Sequence, residues 1–193
     1  ATDYTSLLWT SSGTGTFDDA TILAATYTPS AADIAAGSVT LTLTAQSAAP
    51  CVEASDAMVL TISLQATADA GVDATICEGS TYTLSTAVAT NAATILWSTS
   101  GTGSFSSTSV QNPVYTPSQN DIDDGSVILT MTVTSAAPCA GDIDQMTLTI
   151  NPQAIVSAGT DATICESSTY TLSTATATDY TSLLWTSSGT GTF

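Results

Sequence analysis

Residues 115–139 read YTPSQNDIDDGSVILTMTVTSAAPC, and the fold is decided in the second half of that stretch. From Ser126 onward the side chains alternate: Val127, Leu129, Met131 and Val133 fall on one face, Ile128, Thr130, Thr132 and Thr134 on the other. A period of two over nine residues is a β-strand with one apolar face. The Thr and Val that fill it are β-branched and suit a pleated surface. Before the strand, NDIDDGS (120–126) predicts a single helical turn stopped by Gly125; after it, SAAPC (135–139) leads into a last hairpin. The same sentence is written earlier in the chain. Residues 27–51 read YTPSAADIAAGSVTLTLTAQSAAPC, with no insertion or deletion between the copies.

The offset is constant. Trp9, Trp97 and Trp185 are 97 − 9 = 88 and 185 − 97 = 88 residues apart, and Cys51/Cys139 and Cys77/Cys165 are also 88 apart. DATICEGSTYTLSTA (73–87) returns as DATICESSTYTLSTA (161–175), and ATDYTSLLWTSSGTGTF fills both 1–17 and 177–193. Fixed-period self-similarity of this kind marks a tandem array. Adjacent copies agree at a little over half their positions, whereas copies 176 residues apart agree wherever both are seen. The simplest reading is an alternation of two module types. With a boundary near residue 66, residues 1–65 are the later strands of one module. Residues 66–153 are one complete module, and 154–193 are the first strands of a third.

Other strands carry the same alternation. Met146, Leu148 and Ile150 oppose Thr147 and Thr149; Tyr82 and Leu84 oppose Thr81, Thr83 and Ser85; Ile95 and Trp97 share a face. Turn residues separate them at Gly101-Thr102-Gly103, Asn112-Pro113, Thr116-Pro117-Ser118 and Asn151-Pro152. About seven short strands in 88 residues, regularly spaced, predict an all-β chain of immunoglobulin-like β-sandwich modules.

Composition removes several functions. The chain has 17 acidic residues and no Lys, Arg or His, a net charge of −17. Nothing can neutralise phosphates, which excludes nucleic-acid binding, and an anionic membrane surface repels such a chain. No apolar run is long enough to cross a membrane as a helix. A content of 43% hydrophobic residues with alternating strands is unlike a disordered acidic tail. A Ser or Thr nucleophile lacks a base without His or Lys, and the acids are scattered on turns, so no enzyme is expected. Four cysteines at fixed phase point to disulfides and an oxidising compartment. With no His and no C-x-x-C pair, zinc spacing is absent.

The pattern DAGxDATICEGSTYTL, ILWSTSGTGSF, YTPSxxDIxxGSVxLTxT and MTLTI resembles the immunoglobulin-like, PKD-like tandem repeats of giant surface proteins of gliding bacteria. The likeness covers the whole chain. It implies type IX secretion cargo, outside the outer membrane, acting as an adhesin or filament, with no catalytic residues to carry over. The chain departs from that pattern in its total lack of Lys and Arg, and no Asp is followed by Ser or Thr, the O-glycan acceptor pattern of those bacteria.

Each conspicuous residue has a structural reading beside a functional one. Trp9, Trp97 and Trp185 read as core tryptophans rather than as a sugar-binding platform. Asp121, Asp123 and Asp124 before Gly125 are similar to part of a calcium loop, but the other copy, ADIAAGS, keeps only Asp33, which favours a turn-and-cap role. Asp69 and Asp73, repeated in part as Asp161, flank a module boundary and are the better calcium candidates. Calcium is the one cofactor in view. The threonine rows of TLTLT and TMTVT are outward strand faces before they are an ice-binding ladder.

For the cysteines two pairings stay open. Similar repeats carry both cysteines together, which favours Cys77 with Cys139, 62 positions apart, a bond worth about 4 kcal/mol in the chain-entropy model. A usual sandwich topology instead brings the first-hairpin cysteine of one module beside the last-hairpin cysteine of the next. Cys51 and Cys165 have no in-module partner in this sequence. The expected function is a structural segment of a long extracellular filament or stalk, presenting an adhesive or motility tip. Its partners are neighbouring repeats and, through self-association, other copies. The rival is a glycan- or surface-binding module, which calls for loop aromatics where these loops carry Ser, Thr, Gly and Ala.

Overall fold

The structure, a computed structural model, describes residues 4–193. Its first part holds β1 (Ser6–Ser11), β2 (Thr16–Phe17), β3 (Tyr27–Thr28), α1 (Ala31–Ala36), β4 (Ser38–Gln46) and β5 (Ala54–Thr61). There follow β6 (Thr67–Asp69), β7 (Ala74–Cys77), β8 (Tyr82–Thr83), β9 (Val88–Thr90), β10 (Thr94–Thr99), β11 (Ser104–Phe105) and β12 (Val114–Thr116). The remainder is α2 (Gln119–Asp124), β13 (Ser126–Thr134), β14 (Asp142–Asn151), β15 (Ile155–Ser157) and β16 (Thr176–Thr178). The described residues are all-β apart from two single-turn helices.

Contacts group the chain into two units. One runs up to Ala68 and adds Ala89–Ile95 and Thr132–Ile143; the other comprises Asp69–Val88, Leu96–Met131 and Asp144–Phe193. In the first, β1, β4 and β5 form an antiparallel sheet with Trp9 opposite Leu43 and Leu41 opposite Met58. Alternation sends Leu7, Val39 and Leu41 inward, each almost fully buried. The β2–β3 hairpin sets Phe17 against Tyr27.

In the second unit, the buried side chains include Trp97, Leu84, Tyr115, Leu129, Met131, Met146, Leu148 and Ile150, and Ile128 on the opposite strand face is exposed. All but Tyr115 are residues that the period of two assigns inward, whereas Tyr82 and Ile95 on the same assigned faces are half-buried. The strands belong to a sheet of order β10-β13-β14-β7 and to a smaller one of order β11-β12-β8. β7 lies parallel to β14, with Leu148 opposite Ala74 and Asn151 opposite Cys77. A parallel neighbour needs a long crossover; here the whole module intervenes between the two strands.

The helical turn predicted at 120–126 forms, and its earlier copy forms one for the same reason. Ser118 caps α2 by accepting from the Asp121 amide, Asp121 returns a carboxylate to the Ser118 amide, and Gly125 ends the helix at φ 74°. Ser30, Asp33 and Gly37 do the same for α1. This reciprocal cap satisfies two amides that the helix itself leaves unpaired. Glycine is needed at the end, because a left-handed φ costs a Cβ-bearing residue.

Candidate functional site

For a repeat chain the site to inspect is where one copy meets the next. β5 ends at Thr61 and β6 starts at Thr67, so only a few residues join the copies. They are held rather than free. The Ser63 hydroxyl donates to the Ala137 carbonyl at 3.4 Å, and the Cys139 thiol donates to the Ser63 carbonyl at 3.2 Å. The Asn91 amide donates to the Gln65 carbonyl at 3.2 Å, and the Ala66 amide donates to the Ser135 hydroxyl at 2.6 Å. Ala66 is wholly buried, a small side chain where the backbone passes close.

Beyond the junction the chain runs beside β14 at one offset. The Ala68 amide donates to Asp142, the Ala70 amide to Asp144, and the Thr147 amide to Asp73, at 2.9, 2.7 and 2.7 Å. Each pair is 74 residues apart, the separation at which Ala74 lies opposite Leu148 in the β7–β14 ladder. Carboxylates thus begin a ladder that backbone carbonyls complete. In a chain without Lys, Arg or His, amide and hydroxyl donors are the partners available to carboxylates. Charge-assisted bonds to them are stronger than neutral ones.

The same chemistry recurs beside the helical turn of two copies. Asp121, fully buried, accepts from the Thr102 amide (2.8 Å), the Gly103 amide (3.0 Å), the Ser118 amide (3.0 Å) and the Tyr115 hydroxyl (2.7 Å). Asp33 repeats all four contacts with Thr14, Gly15, Ser30 and Tyr27. A Cβ on Gly101 would overlap the Asp121 carboxylate and one on Gly103 the Tyr115 hydroxyl, which explains the glycines of the GTG motif. Burial pushes the Asp121 carboxyl toward neutrality, but the Ser118 amide, the Tyr115 hydroxyl and the Thr102 amide outweigh it and hold its pKa below the usual value. Asp33 is held well below its usual value, led by the Ser30 amide. Burial lifts the Tyr115 phenol to about 12.

The calcium candidates are not gathered into a ligand set. No group of three or more acidic or cysteine side chains forms a cation cage among the described residues. Asp121 is occupied by its four donors, Asp123 accepts from Gln119, and Asp124 stands exposed at the helix end. Asp69 accepts from the Gly71 amide in a local turn, Asp73 serves β14, and Asp161 is exposed.

The tryptophans divide. Trp97 is core, 1% exposed, with its indole N–H donating to the Val110 carbonyl. Trp9 is half-buried, and Trp185 is 40% exposed, so the core role expected of Trp185 is not realised here. Trp185 still lies tilted against Phe193 with ring centroids 5.9 Å apart, as Trp97 does against Phe105.

All four cysteines are free thiols. Cys77 lies opposite Asn151, where β14 ends, whereas Cys139 precedes Asp142, where β14 begins. Ten extended residues span about 33 Å, and a disulfide needs Cα atoms within about 7 Å. The in-module pairing expected for Cys77 and Cys139 is therefore corrected: β14 holds them at opposite ends.

Asp142 and Asp144 were not among the sequence candidates. A signal existed for Asp144 alone, since Asp142 stands where the other copy has Ala54. The acids kept between adjacent copies are Asp33/Asp121, Asp56/Asp144, Asp73/Asp161 and Glu78/Glu166. Asp33, Asp121, Asp144 and Asp73 all receive backbone amides. No protein-family model matches the chain, and no curated protein matches it significantly.

Proposed function

We propose that the chain is a structural segment of a long extracellular filament or adhesin stalk, built from tandem immunoglobulin-like sandwiches that present a distal tip. The observation that carries this is the joint between copies: its amides and carbonyls are bonded to the following copy, leaving no slack linker. The strand pattern supports the sandwich, since a first strand that joins the last in parallel closes a module on itself. Each copy then contacts mainly its neighbours, stiffness comes from the joints, and length comes from copy number. A highly acidic surface keeps such fibres apart in solution, and the chain offers trypsin no Lys or Arg at which to cut.

Electron microscopy of the native material tests the reading. The expected image is an unbranched fibre with a repeat of roughly 35 Å, set by the ten-residue strand that runs the module's length. Isolated globular particles would refute it.

A further inference from the structure

The free thiols lie at the two ends of a module, and the repeat brings those ends together. The Cys139 thiol of the central module touches the Ser63 carbonyl at 3.2 Å, just past the last strand of the preceding module. One period later, Ser63 corresponds to Asn151, since 63 + 88 = 151. The two positions are structurally alike: Ile62 donates to the Gly37 carbonyl at 2.9 Å, and Ile150 donates to the Gly125 carbonyl at 2.8 Å. Asn151 is the Cα partner of Cys77, and its carbonyl accepts the Glu78 amide at 2.9 Å. One carbonyl position therefore meets the first-hairpin cysteine of its own module and the last-hairpin cysteine of the next.

We propose that each module is stapled to its successor by a disulfide between these two cysteines. Two hydrogen bonds to one oxygen put the incoming sulfur within about 6 Å of the amide that follows Cys77. Rotation about the side chains can close that gap to the roughly 2 Å of a disulfide. Cys77 is exposed and Cys139 half-buried, so both are reachable by an oxidant. Two thiols lose two protons and two electrons as the S–S bond forms. A disulfide-exchange oxidant takes the electrons and is itself reduced to two thiols. The staple also explains why all four thiols are free here: the partner of each would stand 150 residues away, and no two cysteines of this sequence are so spaced. The proposal rests on the tandem-array reading.

The two module types make the bond legible by mass. Asp-N and chymotrypsin release DATICEGSTY (73–82), DATICESSTY (161–170), TAQSAAPCVEAS (44–55) and TVTSAAPCAG (132–141). In native material alkylated without reductant, the staple links DATICEGSTY to TAQSAAPCVEAS and DATICESSTY to TVTSAAPCAG. Recovery of DATICEGSTY bonded to TVTSAAPCAG, or of all four peptides as free thiols, overturns the staple and leaves the array standing. The array itself fails separately, if the intact protein continues past residue 193 without the period. A second measurement uses the 193-residue chain with oxidised glutathione. Intact mass then shows glutathione adducts only, whereas an internal disulfide would also defeat the proposal.

Discussion

Residues 4–17 and 180–193 have the same sequence and different structures. In the first, Ser6–Ser11 is strand β1, paired along its whole length with β4. In the second, the identical Ser182–Ser187 forms no strand. Leu7 is 5% exposed and its twin Leu183 is 53% exposed; Leu8 is 49% and Leu184 is 87%. Nothing local differs, so the strand is made by its partner. β4 supplies the hydrogen-bonding edge and the apolar face that residues 154–193 lack. What those residues do build is an open apolar groove lined by Val156, Ala177, Leu183, Leu184 and Trp185. β-Propensity is mainly the fit of side chains to a half-buried pleated surface, and here the surface is present once and absent once.

The largest way to test that contrast is to supply the missing partner. Appending residues 18–65 after Phe193 should turn Ser182–Ser187 into a strand. Amide exchange there should slow by a factor of 100 or more, on the order of what global rather than local opening gives. Continued fast exchange would show that β1 owes its form to something other than β4.

Truncation separates the tryptophans next. Trp97→Ala empties a buried site and should cost about 3–5 kcal/mol. Trp185→Ala, on an exposed ring, should stay within about 0.5 kcal/mol. Denaturant midpoints of the two variants measure the gap, and equal losses would mean that the groove is already filled in solution.

Much of this was legible in the letters, and the division is instructive. Alternation in SVILTMTVT and MTLTI found the buried faces, and Ser118 with Gly125 found the capped turn, because both signals are local. The Trp185 environment was not legible, since it depends on strands elsewhere. Nor was Asp142, which has no acidic counterpart in the other copy and whose amide partner lies 74 residues away. The cysteine geometry required knowing that β7 and β14 are parallel, a fact of topology that no window of sequence contains.

A smaller effect comes from Asp121→Asn. An asparagine keeps the shape but offers one acceptor oxygen where the carboxylate offered two, leaving amide donors of the GTG turn poorly met. A loss of about 2–3 kcal/mol is expected, the cost of buried polar groups left unpaired plus a lost charge-assisted bond. Equilibrium unfolding measures it. Asp123→Asn, on the exposed side of the same helix, serves as the comparison and should change little.

The smallest effect is the pH response of the same cluster, and its direction follows from where the protons go. Asp121 and Asp33 are held below their ordinary carboxylate range in the folded chain. Their contribution is present above the unfolded value near 3.8 and fades as pH falls through the lower folded value. Tyr115 runs the other way. Its phenol ionises near 10 when unfolded and near 12 when folded, so its contribution is full below 10 and is lost as pH climbs from 10 to 12. Protonation also removes the self-repulsion of 17 acids, which favours the compact state at low pH. High salt screens that repulsion but not the buried cluster. Measured in about 0.5 M salt, stability should therefore be flat from pH 5 to 9 and fall on both sides. Tyr115→Phe should flatten the alkaline limb and, by taking one donor from Asp121, also weaken the acid limb. An alkaline limb unchanged by that substitution would detach Tyr115 from the stability of the module, and leave the carboxylate of Asp121 as its only titrating part.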